Sequence, residues 1–220
     1  MARMAHRVVK GLVGGCALLL GVTVTGCGAP QYQYVANSSE STYFKVPHGW
    51  HKIDGDALSK VEAEVQYPAG GWQVAYEAGS GANANDFLGF GSSQPFVFAE
   101  IGTLTSTGSQ DLSYNVLRDI FLPVTSTTRQ NEPANYPLTG FKQIRDENLT
   151  PGLGVHGVRE TFDYTLGAGG PTDTFDEIAL TNAEQTVVYF MVLHCTASCY
   201  SSDQTAINDV MSSFTIRSSS

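Results

Sequence analysis

Seven consecutive apolar residues, Val187-Val-Tyr-Phe-Met-Val-Leu193, constrain the fold of this chain more than any other segment. Side chains of a strand alternate between its faces, so this one is apolar on both and belongs at the centre of a sheet with a layer on each side. It closes a series of four β-rich segments, near 140–146, 155–165, 172–180 and 186–195. Turn residues separate them at Pro151-Gly152, at 167–171 and at Thr181-Asn182. Strands joined by such short turns pair antiparallel, as a meander. Upstream, residues 42–46 and 72–76 alternate as strands do, and Phe96 to Thr105 is nearly continuously apolar. Three stretches carry helical spacing instead: Leu58, Val61 and Val65 behind the N-cap candidates Asp54 and Asp56; Leu112, Val116, Leu117 and Ile120 ahead of Pro123; and Ile207, Val210, Met211 and Phe214. The expected architecture is α+β, a central antiparallel sheet with helices packed on it, spanning 42–217 with a tail at 218–220. Residues 78–93, rich in Gly, Asn and Ser, are expected to form a mobile loop.

The N-terminus carries an address. Arg3, His6, Arg7 and Lys10 are followed by about 15 apolar or small residues, shorter than the ~20 that a spanning helix requires. This is the anatomy of a secretory signal, residues 1–26. It ends in Val24-Thr-Gly-Cys27, which resembles a bacterial lipobox. Cleavage before Cys27 would leave a lipidated N-terminus bearing a diacylglyceryl group and palmitate-type acyl chains, which anchor without any protein span. Residues 27–41 are polar and read as the lipidated N-terminus plus a flexible tether. The expected location is the extracytoplasmic face of a cell membrane.

Charge sharpens this picture. The whole chain has 12 Lys+Arg against 21 Asp+Glu. Its first 26 residues hold three cations and no acid, so the mature chain has a net charge of −12. An acidic chain without a Lys/Arg run does not suit nucleic acid or electrostatic docking on anionic lipid.

Three short patterns carry a family resemblance: Tyr43-Phe-Lys-Val-Pro-His-Gly-Trp50, the later hairpins, and a closing helix ending in Ser213-Phe-Thr-Ile216. Together they resemble the PsbP-like fold, an α/β/α sandwich shared by photosystem extrinsic proteins and LpqN/LpqT-type actinobacterial lipoproteins. That resemblance implies packing roles for Trp50, Ser213 and Phe214 and transfers no catalytic residue. It also implies a Gram-positive actinobacterial setting. Residues 78–93 and the pair Cys195/Cys199 go beyond the pattern.

Among motifs with possible chemistry, Cys195-Thr-Ala-Ser-Cys199 is the most specific. Outside the cytoplasm such a pair is expected to form a disulfide pinning the turn between the last long strand and the last helix. Metal ligation with His194 is the alternative, opposed by the opposite directions of neighbouring strand side chains. Redox chemistry usually uses a tighter Cys-x-x-Cys. Gly152-Leu-Gly-Val-His-Gly157 matches a dinucleotide-binding pattern but is followed by β-type residues rather than a helix, so no nucleotide is expected. The histidines form no metal motif, and no metal or other cofactor is expected. Asn37-Ser-Ser and Asn148-Leu-Thr match a glycosylation pattern that is not expected to be used. The functional expectation is a non-catalytic binding or accessory domain for an envelope lipid, glycan or protein partner, presented through Phe87 and Phe90 in the Gly-rich loop. The alternative is an envelope hydrolase using a Ser/His pair or carboxylates such as Asp163/Asp173 or Asp176/Glu177. A large apolar cavity would favour lipid or lipoglycan carriage.

Overall fold

A computed structural model describes residues 31–65, 71–87 and 89–217. The signal segment 1–26, Cys27 and the tail 218–220 lie outside the described residues. Two antiparallel sheets are present. The larger has seven strands, in the order β3 (His51–Lys52), β4 (Trp72–Glu77), β5 (Phe96–Thr103), β9 (Val187–Thr196), β8 (Thr172–Thr181), β7 (Val155–Leu166) and β6 (Leu138–Gly152). The smaller has three: β1 (Tyr32–Asn37), β2 (Thr42–Pro47) and β10 (Thr215–Ile216), with β2 in the middle. The chain is α+β, as its apolar patterning predicts, and β9 is the fourth of seven strands.

Each face of the seven-stranded sheet has its own core. Tyr189, Met191, Leu193 and Cys195 of β9 join one core, with Val97 and Ala99 of β5. That core is covered by β1, β2 and the helices α5 (Ala197–Ser202) and α6 (Gln204–Met211). Val188, Phe190 and Val192 of the same strand join the other. Here the cover comes from α1 (Gly55–Val65), a 3₁₀ turn at Ala84–Phe87 and α3 (Tyr114–Arg118), whereas α2 (Ser106–Asp111) and α4 (Ser126–Asn131) bury no residue of their own. Phe87, Phe98, Phe121, Phe175 and Phe190 pack edge and face within this second layer, at centroid separations of 4.6–6.3 Å.

Two expectations require correction. The tether read over 27–41 is strand from Tyr32 to Asn37, because Val35 is buried against the core and every residue of β1 pairs with β2. The single helix read over 111–122 is broken. Leu112 takes an extended backbone and the Ser113 hydroxyl accepts from the Val116 amide, capping a new helix. Gly152-Leu-Gly154 is the tip of the β6–β7 hairpin, all three with positive φ, and a strand follows it. Outer strand β6 is polar, charged and bulged, which blunts an exposed edge 15 residues long. No helix among the described residues is long and apolar enough to cross a membrane.

Candidate functional site

The break between α2 and α3 creates an apolar groove on the helix side. Thr105 caps α2 by accepting from the Gly108 amide, and Ser113 caps α3, so two short helices replace one long one. Leu112, Val116 and Ile120 then face a groove over the sheet rather than a closed helix–sheet seam. The floor is built by Glu100 and Gly102 of β5 and by Val188 and Phe190 of β9, which pair directly as Glu100↔Phe190 and Gly102↔Val188. Leu104 and Gly108 complete the wall. The groove measures about 240 Å³ and is apolar apart from Glu100, Thr103 and Asp111. That lies between a ~150 Å³ cavity that holds benzene and the ~300 Å³ at which drug-sized sites begin, so one acyl segment or one ring fits. A Cβ placed on Gly102 would meet nothing within 4 Å, so this residue keeps the floor open.

Beside the groove, α3 covers a buried charge cluster that does not open into it. Arg118 Nε lies 2.8 Å from Glu160 Oε1, and Arg118 Nη2 donates to Asp146 Oδ1 and Asn148 Oδ1, each at 2.8 Å. Glu160 faces Glu177 across the β7–β8 pair. Neither oxygen of Glu177 has a hydrogen-bond partner, and burial, followed by the neighbouring Glu160, pushes its carboxyl well above the usual carboxylate range. Burial also lifts Glu160 to about 7, against the pull of Arg118. Between α3, α4 and β6 lies a polar basin of about 430 Å³ lined by Arg118, Arg129, Gln143 and Asp146. Both arginines there are already engaged, Arg118 as above and Arg129 by the Val124 carbonyl and the Phe141 ring.

The structure distributes the residues singled out from the sequence as follows. Cys195 and Cys199 form a disulfide between the end of β9 and α5. His194 points to the other side of the sheet, stacked on Phe175 with its ring Nδ1 3.7 Å from Asp173. Among the described residues no group of three or more His, Cys, Asp or Glu is placed to hold a metal. Consecutive Asp176 and Glu177 take opposite faces, Asp176 held by Arg159 and the Tyr200 hydroxyl on the disulfide side. Asp163 and Asp173 are likewise split, because Tyr164, not Asp163, is paired with Asp173. The carboxylate pairs of the hydrolase alternative therefore do not converge.

Phe87 and Phe90 require a correction. Phe87 is 1% exposed and packs on Phe98 and Phe121, while Phe90 is half-buried against Phe175. The Gly-rich segment is anchored inward by its aromatics, so it does not display them. The groove residues were missed because a 3.6-residue stripe cannot distinguish a helix seated on a sheet from one standing off it. Ser113 inside the stripe was the available signal.

No protein-family model matches this chain, and no characterised protein sequence does. Several solved structures resemble it. Cyanobacterial PsbP (CyanoP) from Synechocystis is 15% identical, covering 94% of this chain and 100% of that one, with a TM-score of 0.46. LpqN of Mycobacterium tuberculosis, described as involved in cell envelope biogenesis, is 16% identical over 86% of this chain and 93% of its own, with a TM-score of 0.45. The yeast Ran-binding protein Mog1p is 9% identical over 84% and 95%, with a TM-score of 0.43. This chain resembles PsbP-like proteins. The likeness is one of fold, and it includes both groups to which the sequence patterns pointed.

Proposed function

We propose that this chain is a lipoprotein anchored to the extracytoplasmic face of a membrane through Cys27. In this reading its folded domain is a non-catalytic binding module for an apolar part of an envelope lipid or lipoglycan. The lipobox and signal anatomy support the anchor. The observation that carries the binding reading is the groove between α2–α3 and the β5–β9 floor, apolar almost throughout and sized for one chain or ring. Burying an apolar chain there contributes about 0.8 kcal/mol per CH₂, a driving force that requires no charge on the ligand.

The test uses n-decanol, a neutral single-chain probe, titrated calorimetrically into the mature domain. Saturable binding that weakens at least tenfold in Gly102→Phe, whose ring fills open space on the floor, is the expected result. Equal binding by wild type and variant, or none by wild type, overturns the groove as the site. The anchor is checked separately by mass spectrometry of the N-terminal peptide from membranes. A diacylglyceryl mass on Cys27, and release of Cys27→Ser into the soluble fraction, are expected.

A further inference from the structure

The three-stranded sheet has an outer face that neither core uses. Alternation along β1 and β2 sends Val35, Phe44 and Val46 inward and leaves Tyr32, Tyr34, Tyr43 and Lys45 outward. Tyr34, opposite Lys45 in the register, is 82% exposed. Lys45 Nζ lies 4.1 Å from the centroid of the Tyr32 ring, and the Arg217 guanidinium 4.8 Å from that of Tyr43. Arg217 is fixed there by its own amide, which donates to the Ser41 carbonyl. The outward positions of β1, β2 and the segment 215–217 thus hold three tyrosines, two cations and no acid, on a chain whose mature net charge is −12. The nearest acid bonded to the face is Asp209, which accepts from the Tyr32 hydroxyl.

The chain leading to this face is short. Pairing of β1 extends to Gln31, whose carbonyl accepts from the His48 amide at 3.0 Å. Only four residue steps separate Gln31 from Cys27, a reach of at most ~14 Å even when fully extended. A domain several times wider than that cannot tumble freely about its anchor. Tyrosine with Lys or Arg is also the side-chain set that settles at the headgroup level of a bilayer, ring in the interface and cation at the phosphates.

We infer that the outer face of the three-stranded sheet, through Tyr32, Tyr34, Tyr43, Lys45 and Arg217, rests on the headgroups of the bilayer holding the acyl anchor. This rests on the lipidation of Cys27 proposed above. The partner is the phospholipid surface itself, with zwitterionic and anionic headgroups meeting the two cations.

The experiment places the lipidated protein in phosphatidylcholine:phosphatidylglycerol vesicles containing headgroup spin-labelled lipid. A fluorophore is attached at Tyr34→Cys or, on the opposite face of the seven-stranded sheet, at exposed Thr127→Cys in α4. Quenching at position 34 at least threefold stronger than at 127 is expected. Lys45→Glu with Arg217→Glu should bring position 34 down to the level of 127 while the protein stays with the vesicles. Equal quenching at the two positions, with diacylglyceryl found on Cys27 in the same sample, overturns the docking and leaves the anchor standing. Absence of the lipid mass on Cys27 overturns both. A label at 34 that is unquenched by lipid yet shielded by added purified cell wall assigns the face to wall polymer and also overturns the inference.

Discussion

Glu177 lies wholly inside the helix-side layer, and what it costs depends on pH. With no hydrogen bond to either carboxyl oxygen, the folded chain holds it as the neutral acid, whereas the unfolded chain ionises it near 4.5. Glu160 and Glu77 behave alike, both lifted to about 7 chiefly by burial. A folded state that binds more protons than the unfolded one loses stability as pH rises. This contribution is therefore fully present below pH 4.5 and is lost for Glu160 and Glu77 between about 4.5 and 7, with Glu177 continuing the loss further up. For the fully buried Glu160, the step from 4.5 to about 7 amounts to roughly 3 kcal/mol. We expect the melting temperature to be higher at pH 5.5 than at pH 8, and Glu177→Gln to raise it at pH 8 more than at pH 5.5. Calorimetry across that range checks both; a melting temperature that climbs with pH would contradict the assignment.

At the level of elements, Phe87 ties the Gly-rich segment down and should be read as a core residue. Phe87→Ala is expected to cost about 3–5 kcal/mol, and Phe90→Ala, half-buried, clearly less; urea denaturation of the two variants measures the difference. Strands were legible in the sequence wherever patterning dominated. The two-faced apolar run fixed β9 at the sheet centre, and the Pro/Gly and Asn turns marked the ends of β7 and β8. The disulfide was legible from spacing and compartment. The α2–α3 break was not, because the stripe Leu112, Val116, Leu117, Ile120 fits a continuous helix and only the Ser113 hydroxyl interrupts it. Strand β1 escaped notice because its outward residues are Tyr32, Tyr34 and Ala36, and a short segment with one buried valine resembles a linker until its partner strand is in place. The groove depends on the stretch from Glu100 to Ile120 meeting β9, far along the chain, and no local pattern encodes that.

The whole molecule is two layers on one sheet, and the layer made by β1, β2 and β10 is the one closed from both ends of the chain. A chain ending at Phe214 loses the pairing of Thr215 and Ile216 with β2 and the bond from Arg217 to Ser41. At about 0.5–1.5 kcal/mol for each hydrogen bond, its melting temperature should fall by roughly 3–10 °C. Hydrogen exchange should show β2 amides unprotected while β9 stays protected; equal loss in both strands would show that the layers unfold as one. The hydroxyl of Ser213 receives the amide of Lys45 across 168 residues of sequence. Whatever machine delivers this chain amino end first therefore releases Tyr32 to Pro47 long before the residues that complete their sheet exist. During that interval Tyr32 to Pro47 has no finished sheet to join. The three-stranded sheet therefore closes only when Thr215 and Ile216 arrive to pair with β2.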